Sequence, residues 1–247
     1  TSFSPQQWVR VARNCGMKGL ILNVKHHDGF CLWPTVYTDY SVKSSKWQDG
    51  EGDVVEAVSR CCKEEGLKFG IAISPLDFHE STFGSGEEYN KFFLGLLREL
   101  LTNYGDIYAV WFDGATGHGK NGKSQAYDWE AYFKLVRELQ PNAAITNCGP
   151  DIRWCGNNKG VCRESEWSVL PSYYRLFDNE TCEYTNPKVK VNFSEPDLGS
   201  RRKMKKADDF IFYPAEVSLS LRDGWFYKKA EDLSVKPLSK IEKTYLG

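Results

Sequence analysis

One pattern constrains this chain more than any other. Four times in the first two-thirds, a helical segment is followed by a short apolar strand and a polar loop, with Gly or Pro at the breaks. Ser4 and Pro5 open a helix that runs to about Cys15 and stops at Gly16. Gly19–Lys25 follows as an apolar strand. Asp53 opens a second helix, Gly66 ends it, and residues 68–74 form the next strand up to Pro75. Residues 87–104 place Phe92, Phe93, Leu96, Leu97, Leu100 and Leu101 at helical spacing. Gly105 breaks that helix before a strand at 106–112. A helix at 127–140 and a strand at 143–147 complete the series. Repeated units whose strands are apolar on both faces predict a parallel sheet covered by helices. The pattern alone does not choose between a closed barrel and an open, doubly wound sheet. Residues 150–192 are rich in Gly, Asn, Cys, Trp and Tyr and read as long loops. Strand character returns at 210–221, where Pro214 interrupts it.

Composition narrows the function classes. A length of 247 residues allows one or two domains, or a single barrel of about 250 residues. Hydrophobic residues at 41% and charged residues at 26% are a globular balance, which excludes disorder and collagen-like repeats. No apolar run approaches the roughly 18 residues a membrane-spanning helix needs. The net charge of −1 gives no global field to draw in nucleic acid or anionic lipid. The basic run at 201–206 reads as a solvated helix face. Eight Trp and 14% aromatic residues suit stacking against sugar rings, although Trp also fills cores. Eight cysteines permit disulfides without showing them, and no CxxC zinc pair occurs. Sequons at Asn179 and Asn192 fit a secreted, lysosomal or other extracytoplasmic setting, and chance matches are expected in a chain of this length. The opening residues do not read as a signal peptide, and a chain that starts at Thr1 is expected to be processed, excised or partial.

Polar residues gather just after each strand. Lys25, His26, His27 and Asp28 follow the first, and Ser74, Asp77 and His79 the second. Asp113 follows the third, and Asn147, Asp151, Arg153 and Trp154 the fourth. In a parallel α/β protein these positions share the sheet edge where active sites form. Loops are polar in any case, so the residue types carry the argument. Asp113 ends a strongly apolar run, Ala109-Val110-Trp111-Phe112, whose side chains cannot solvate a carboxylate. It suits a nucleophile, a base or a metal ligand, and the bland alternative is a helix cap. His26 and His27, on an extended backbone, are expected to point to opposite sides, so a shared metal ion is not expected. A competing motif spans residues 117–124, GHGKNGKS, which matches the phosphate-loop pattern GxxxxGK[ST]. Against it, residues 113–116 separate the strand from the first glycine, and no later strand ends in an Asp for Mg²⁺.

Several runs together resemble the α-L-fucosidases of glycoside hydrolase family 29. They are KHHDGFCLWP at 25–34, TDY at 38–40, GDVV at 52–55 and LKFG at 67–70 with Ser74-Pro75. LLTNYG at 100–105, WFDG at 111–114, CGPDIRW at 148–154, YPAEV at 213–217 and GWFY at 224–227 continue the series in order. The resemblance is strongest to the subgroup that cleaves branched α-1,3 and α-1,4 fucose. It implies a (β/α) barrel of the TIM type, with 1–247 a single catalytic domain that is incomplete at both ends. The usual first strand, with a further fucose-binding His, and the C-terminal β-sandwich would be missing. It also implies a retaining double displacement on a fucosylated glycan, with no cofactor, no metal, no nucleic acid and no membrane partner. Asp113 would be the nucleophile. His26 and His27 would bind the fucose hydroxyls, Trp111 and Trp225 would wall the pocket, and Trp33 and Trp154 would complete the sugar-binding set. The acid/base glutamate of the subgroup aligns with Asn158, which cannot transfer a proton. Glu164 and Glu166 are candidate replacements. The alternative is a fucose-binding protein with impaired turnover, and a third reading is a phosphate-loop nucleotide binder.

Overall fold

The computed structural model describes residues 3–113, 118–119, 122–147, 149–163, 166–174, 177–178, 183–184 and 195–242. Glu164, Cys148, Cys182 and the sequon residues Asn179 and Asn192 lie outside them. The chain forms two compact units, Thr1–Gly149 and Pro150–Gly247.

The first unit realises the expected series. It runs α1 (Pro5–Asn14), β1 (Gly19–Lys25), α2 (Val54–Glu65), β2 (Lys68–Ile73), α3 (Glu87–Asn103), β3 (Ala109–Phe112), α4 (Trp129–Leu139) and β4 (Ala144–Asn147). The strands pair in parallel in the order β1-β2-β3-β4, so each strand lies beside the next in sequence. A doubly wound sheet reverses its strand order at a switch point, whereas a barrel progresses in one direction. The progression here is that of a barrel.

Local chemistry sets the element ends. The Asp53 carboxylate accepts the Glu56 N–H at 2.8 Å and starts α2. Gly66 stops α2 at φ +73, where a side chain would be strained, and its N–H caps the carbonyls of Cys62 and Lys63. The second Asp53 oxygen accepts the Tyr104 hydroxyl at 2.8 Å, which ties α2 to the end of α3. Arg10 and Arg13 of α1 reach Glu65 of α2 at 2.7 and 2.6 Å. The helical stripe of α3 buries Phe93, Leu96, Leu97, Leu100 and Leu101. Phe93 meets Tyr132 of α4 at 4.7 Å between ring centroids, and Phe112 of β3 packs on Trp129, Tyr132 and Phe133. Phe112 therefore faces the helices. Strand alternation sends Trp111 and Asp113 to the opposite face.

The second unit is built from short strands. These are β5 (Ile152–Trp154), β6 (Val169–Pro171), β7 (Phe177–Asp178) and β8 (Glu183–Tyr184), followed by α5 (Arg201–Met204), β9 (Phe210–Phe212) and β10 (Ala215–Glu216). β5 pairs in parallel with β10, while β6 with β9 and β7 with β8 are antiparallel. Leu170, Tyr174, Leu198, Ile211 and Tyr213 form its small core. The region expected to be all loop thus holds strands: β5 and β6 are stabilised by partners distant in sequence, and β7 pairs with the nearby β8. Pro214 does interrupt the 210–221 run: the chain leaves the β6 pairing before it and joins β5 after it. In the basic run Arg201, Arg202, Lys205 and Lys206 are exposed as expected. Lys203 instead donates to Glu195 and Tyr174, both at 2.9 Å.

Replacing Asp53 with Ala removes both the cap and the Tyr104 acceptor. We expect a loss of about 1–2 kcal/mol in urea unfolding. An unchanged midpoint contradicts the capping role.

Candidate active site

The carboxyl ends of β1, β2 and β3 bring the site together. The Ser74 N–H donates to the Lys25 carbonyl at 2.9 Å, and the Asp113 N–H donates to the Ile73 carbonyl at 3.1 Å. These bonds extend the two ladders by one step and align the residues that follow each strand. Beneath them lies a buried ion pair. Lys25 and Asp77 have 0% and 2% side-chain exposure and meet at 2.9 Å. The Lys25 ammonium also donates to the carbonyls of Ser74 at 2.9 Å and Leu76 at 3.4 Å. The other Asp77 oxygen accepts the N–H groups of His79 and Glu80, both at 2.8 Å. Gly29, at φ +87, passes so close that a Cβ there would lie 2.4 Å from Asp77 Oδ1. Only glycine meets both demands.

Above this base His26, His27 and Asp113 converge. His26 Nε2 lies 3.1 Å and His27 Nε2 3.6 Å from the same oxygen, Asp113 Oδ2. The two imidazole centroids are 4.0 Å apart. The expectation that the rings point to opposite sides is therefore corrected. It assumed an extended backbone, but β1 ends at Lys25 and the chain turns at His27 and Asp28. The three donor groups lie within metal-ligating reach of one another.

Asp113 keeps 20% exposure and His26 and His27 about a third, so a ligand can reach all three. His27 Nδ1 is 2.6 Å from Ser74 Oγ. Burial lowers the His27 pKa below its usual 6.5, with the Asp113 charge opposing and His26 and Lys25 assisting. A neutral His27 that accepts the Ser74 hydroxyl proton at Nδ1 presents its Nε2–H to Asp113. From β4, Asn147 adopts φ +64 and donates Nδ2–H to the Phe112 carbonyl at 2.6 Å, one residue before Asp113.

The remaining predicted residues divide by place. Trp111 is half-buried on the Asp113 face of β3. Trp33 is only 1% exposed and donates its indole N–H to Glu99 at 2.8 Å. It supports its loop from inside and presents no face to a sugar. In the second unit Trp154 is half-buried, Trp225 is 51% exposed, and Asn158 sits in an exposed turn. Neighbouring Asn157, Lys159, Cys155, Arg163 and Glu195 line a cavity of about 260 Å³. Glu166 is only 14% exposed and its two oxygens are taken by two guanidinium groups, Arg153 and Arg163. The buried Arg153 is further held by the carbonyls of Tyr213 at 3.0 Å and Trp167 at 2.8 Å. Glu166 is thus the anchor of this arginine pair rather than a carboxyl free to move a proton.

The phosphate-loop reading fails on its geometry. His118 and Ser124 bridge as antiparallel partners, and the Gly119 N–H bonds the Lys123 carbonyl at 2.9 Å. Lys123 Nζ donates to the Ser81 carbonyl at 3.0 Å, and α4 starts only at Trp129. A phosphate loop needs its Lys and Ser at a helix N-terminus. Here Ser124 pairs with His118 and Lys123 with Gly119, and neither stands at a helix N-terminus.

Sequence reasoning placed Lys25, Ser74, Asp77 and Asn147 at the right edge but not in their roles. The available signal was polar residues at the ends of otherwise apolar strands, which marks position and not pairing.

Comparison with known proteins agrees with the geometry. The family model described as α-L-fucosidase matches residues 1–159. α-L-Fucosidase 1 of Arabidopsis thaliana is 40% identical over 246 residues, covering 99% of this chain and 44% of that protein. A crystal structure of a candidate α-L-fucosidase from Bacteroides ovatus superposes with a TM-score of 0.88 at 44% identity, covering 100% of this chain and 42% of that one. A family 29 fucosidase from Ruminococcus gnavus, in complex with fucose, gives a TM-score of 0.78 at 25% identity, covering 100% and 51%. These neighbours place the chain in the (β/α)-barrel class. The chain spans less than half the length of the plant relative.

Two outcomes are expected. Lys25→Met strands a buried carboxylate and costs about 3–5 kcal/mol in unfolding, much of which Lys25→Met/Asp77→Asn recovers. Equal losses in both variants contradict the pairing. The unfolded chain protonates His27 near 6.5 while the folded chain resists, so this contribution to stability is present above 6.5 and is lost as pH falls through the lowered value. Urea midpoints from about pH 7 to about pH 5 should fall less in His27→Gln than in the parent. Parallel curves contradict the assignment.

Proposed function

The chain belongs to the α-L-fucosidase family, glycoside hydrolase family 29, and from that premise we propose that it releases terminal α-linked L-fucose from fucosylated glycans by double displacement. The observation that carries this reading is the convergence of His26 and His27 on Asp113 Oδ2 at the open ends of β1 and β3. With Oδ2 held by His26, Oδ1 attacks the anomeric carbon. The bond to the leaving oxygen breaks as a general acid, for which Glu164 is the remaining candidate, protonates that oxygen, and a fucosyl ester forms on Asp113. Water then attacks the same carbon and gives its proton back to that group, the ester bond breaks, and fucose departs with its configuration retained. His26 restrains the nucleophile, the His27 Nε2–H, 3.6 Å from Asp113 Oδ2, is offered to a ring hydroxyl, and Trp111 supplies apolar surface on the same face. The glycans such an enzyme meets are extracytoplasmic, which suits the two sequons. No described helix is long and apolar enough to cross a membrane.

A second reading, fucose binding with impaired turnover, is favoured by one observation. Asn158 carries no carboxyl, and both oxygens of Glu166 are engaged by arginines. The two readings part on the leaving group. An aryl fucoside with a good leaving group needs no proton, whereas a branched fucosylated trisaccharide does. Comparable release from both supports the full enzyme. Aryl cleavage alone, with trisaccharide turnover about 10²- to 10⁴-fold down and restored by Asn158→Glu, supports the second reading. In either case Asp113→Asn lowers aryl fucoside turnover roughly 10³- to 10⁶-fold. Retention of activity in that variant overturns the assignment of the nucleophile.

A further inference from the structure

The geometry points to a zinc site made of His26, His27 and Asp113, with the metal and the sugar as competitors for the same three side chains. A Zn²⁺ ion bound at about 2.0–2.1 Å in tetrahedral geometry holds its ligand atoms about 3.3 Å apart. The distances of 3.1 Å and 3.6 Å from the two Nε2 atoms to Asp113 Oδ2 bracket that value, and all three donor groups lie within 4.8 Å of one another. Two imidazoles and one carboxylate are a donor set that zinc accepts, with a fourth position left for water. The outer layer is also in place. A metal-bound His donates its other ring N–H to a fixed oxygen, and His27 Nδ1 already faces Ser74 Oγ at 2.6 Å. The Ser74 hydroxyl serves both states. It donates to Nδ1 when Nε2 carries the proton. When zinc takes Nε2 it accepts from Nδ1–H and turns its own proton toward the Leu76 carbonyl, 3.3 Å away. The nearby Lys25 charge is matched by Asp77 and so opposes the cation little. Zinc at Nε2 leaves the His27 proton on Nδ1, exchanged through solvent with no net release, and the metal blocks attack by Asp113. Regulation of turnover by zinc rests on the function proposed above, whereas the binding itself does not.

Calorimetric titration of the protein with zinc chloride tests this. One equivalent is expected to bind. His26→Gln and Asp113→Asn should each weaken it by at least about tenfold, and Ser74→Ala by about 10- to 100-fold. Thiols are the competing ligands, and among the described residues the exposed ones are Cys15 and Cys162, so the double variant Cys15→Ser/Cys162→Ser should bind unchanged. Cobalt(II) in place of zinc should show no thiolate charge-transfer band. Circular dichroism checks that each variant is folded, and Asp113→Asn preserves shape. Absence of binding to the parent protein overturns the proposal. So does binding that survives both His26→Gln and Asp113→Asn, or that disappears with the two cysteines. Binding as expected in a protein that releases no fucose leaves the zinc site standing and removes the fucosidase reading.

Discussion

The site stands on the buried Lys25–Asp77 pair. Two opposite charges removed from water are costly unless every donor and acceptor is satisfied. Here the ammonium has a carboxylate and two carbonyls, and the carboxylate has the ammonium and two backbone N–H groups. That full set of bonds folds the loop after β2 over the end of β1. Ser74 is thereby fixed beside His27, and Gly29 must pass without a side chain. A neutral hydrophobic pair would fill the same space but would not hold the loop at a defined angle.

The rest of the geometry follows from strand alternation. Phe112 goes into the aromatic layer of α3 and α4, and so its neighbours Trp111 and Asp113 go to the other face. Asn147 donates to the Phe112 carbonyl from a left-handed backbone at the end of β4. Such strain at a strand end is the kind a fold tolerates where position matters. The nucleophile candidate is thus located by packing on one side and by a hydrogen bond from the next strand.

Much of this was legible in the sequence, and the physical reason is period. The α3 stripe and the capping of α2 by Asp53 and Gly66 are local signals, and the structure realises the capping and buries the stripe from Phe93 to Leu101, with Phe92 at its half-buried edge. Asp113 stood out because an apolar strand cannot solvate a carboxylate. The second unit was opaque for the opposite reason. β6 is three residues long and is defined by β9, some forty residues away. The convergence of His26 and His27 was hidden because it depends on where β1 ends. One residue more of extended chain would part the rings. The burial of Trp33 was hidden because a Trp in a loop reads as exposed until Glu99 is seen beneath it.

The central claim is that Asp113 becomes covalently attached to the sugar. A fluorinated fucosyl fluoride tests it directly, because fluoride leaves without proton donation and the ring fluorine slows the release step. Peptide mass spectrometry after brief incubation should find one fucosyl adduct, on the peptide bearing Asp113. The same reagent should leave no adduct on Asp113→Asn. An adduct on another carboxylate, or hydrolysis of an aryl fucoside with no adduct formed, would contradict the account.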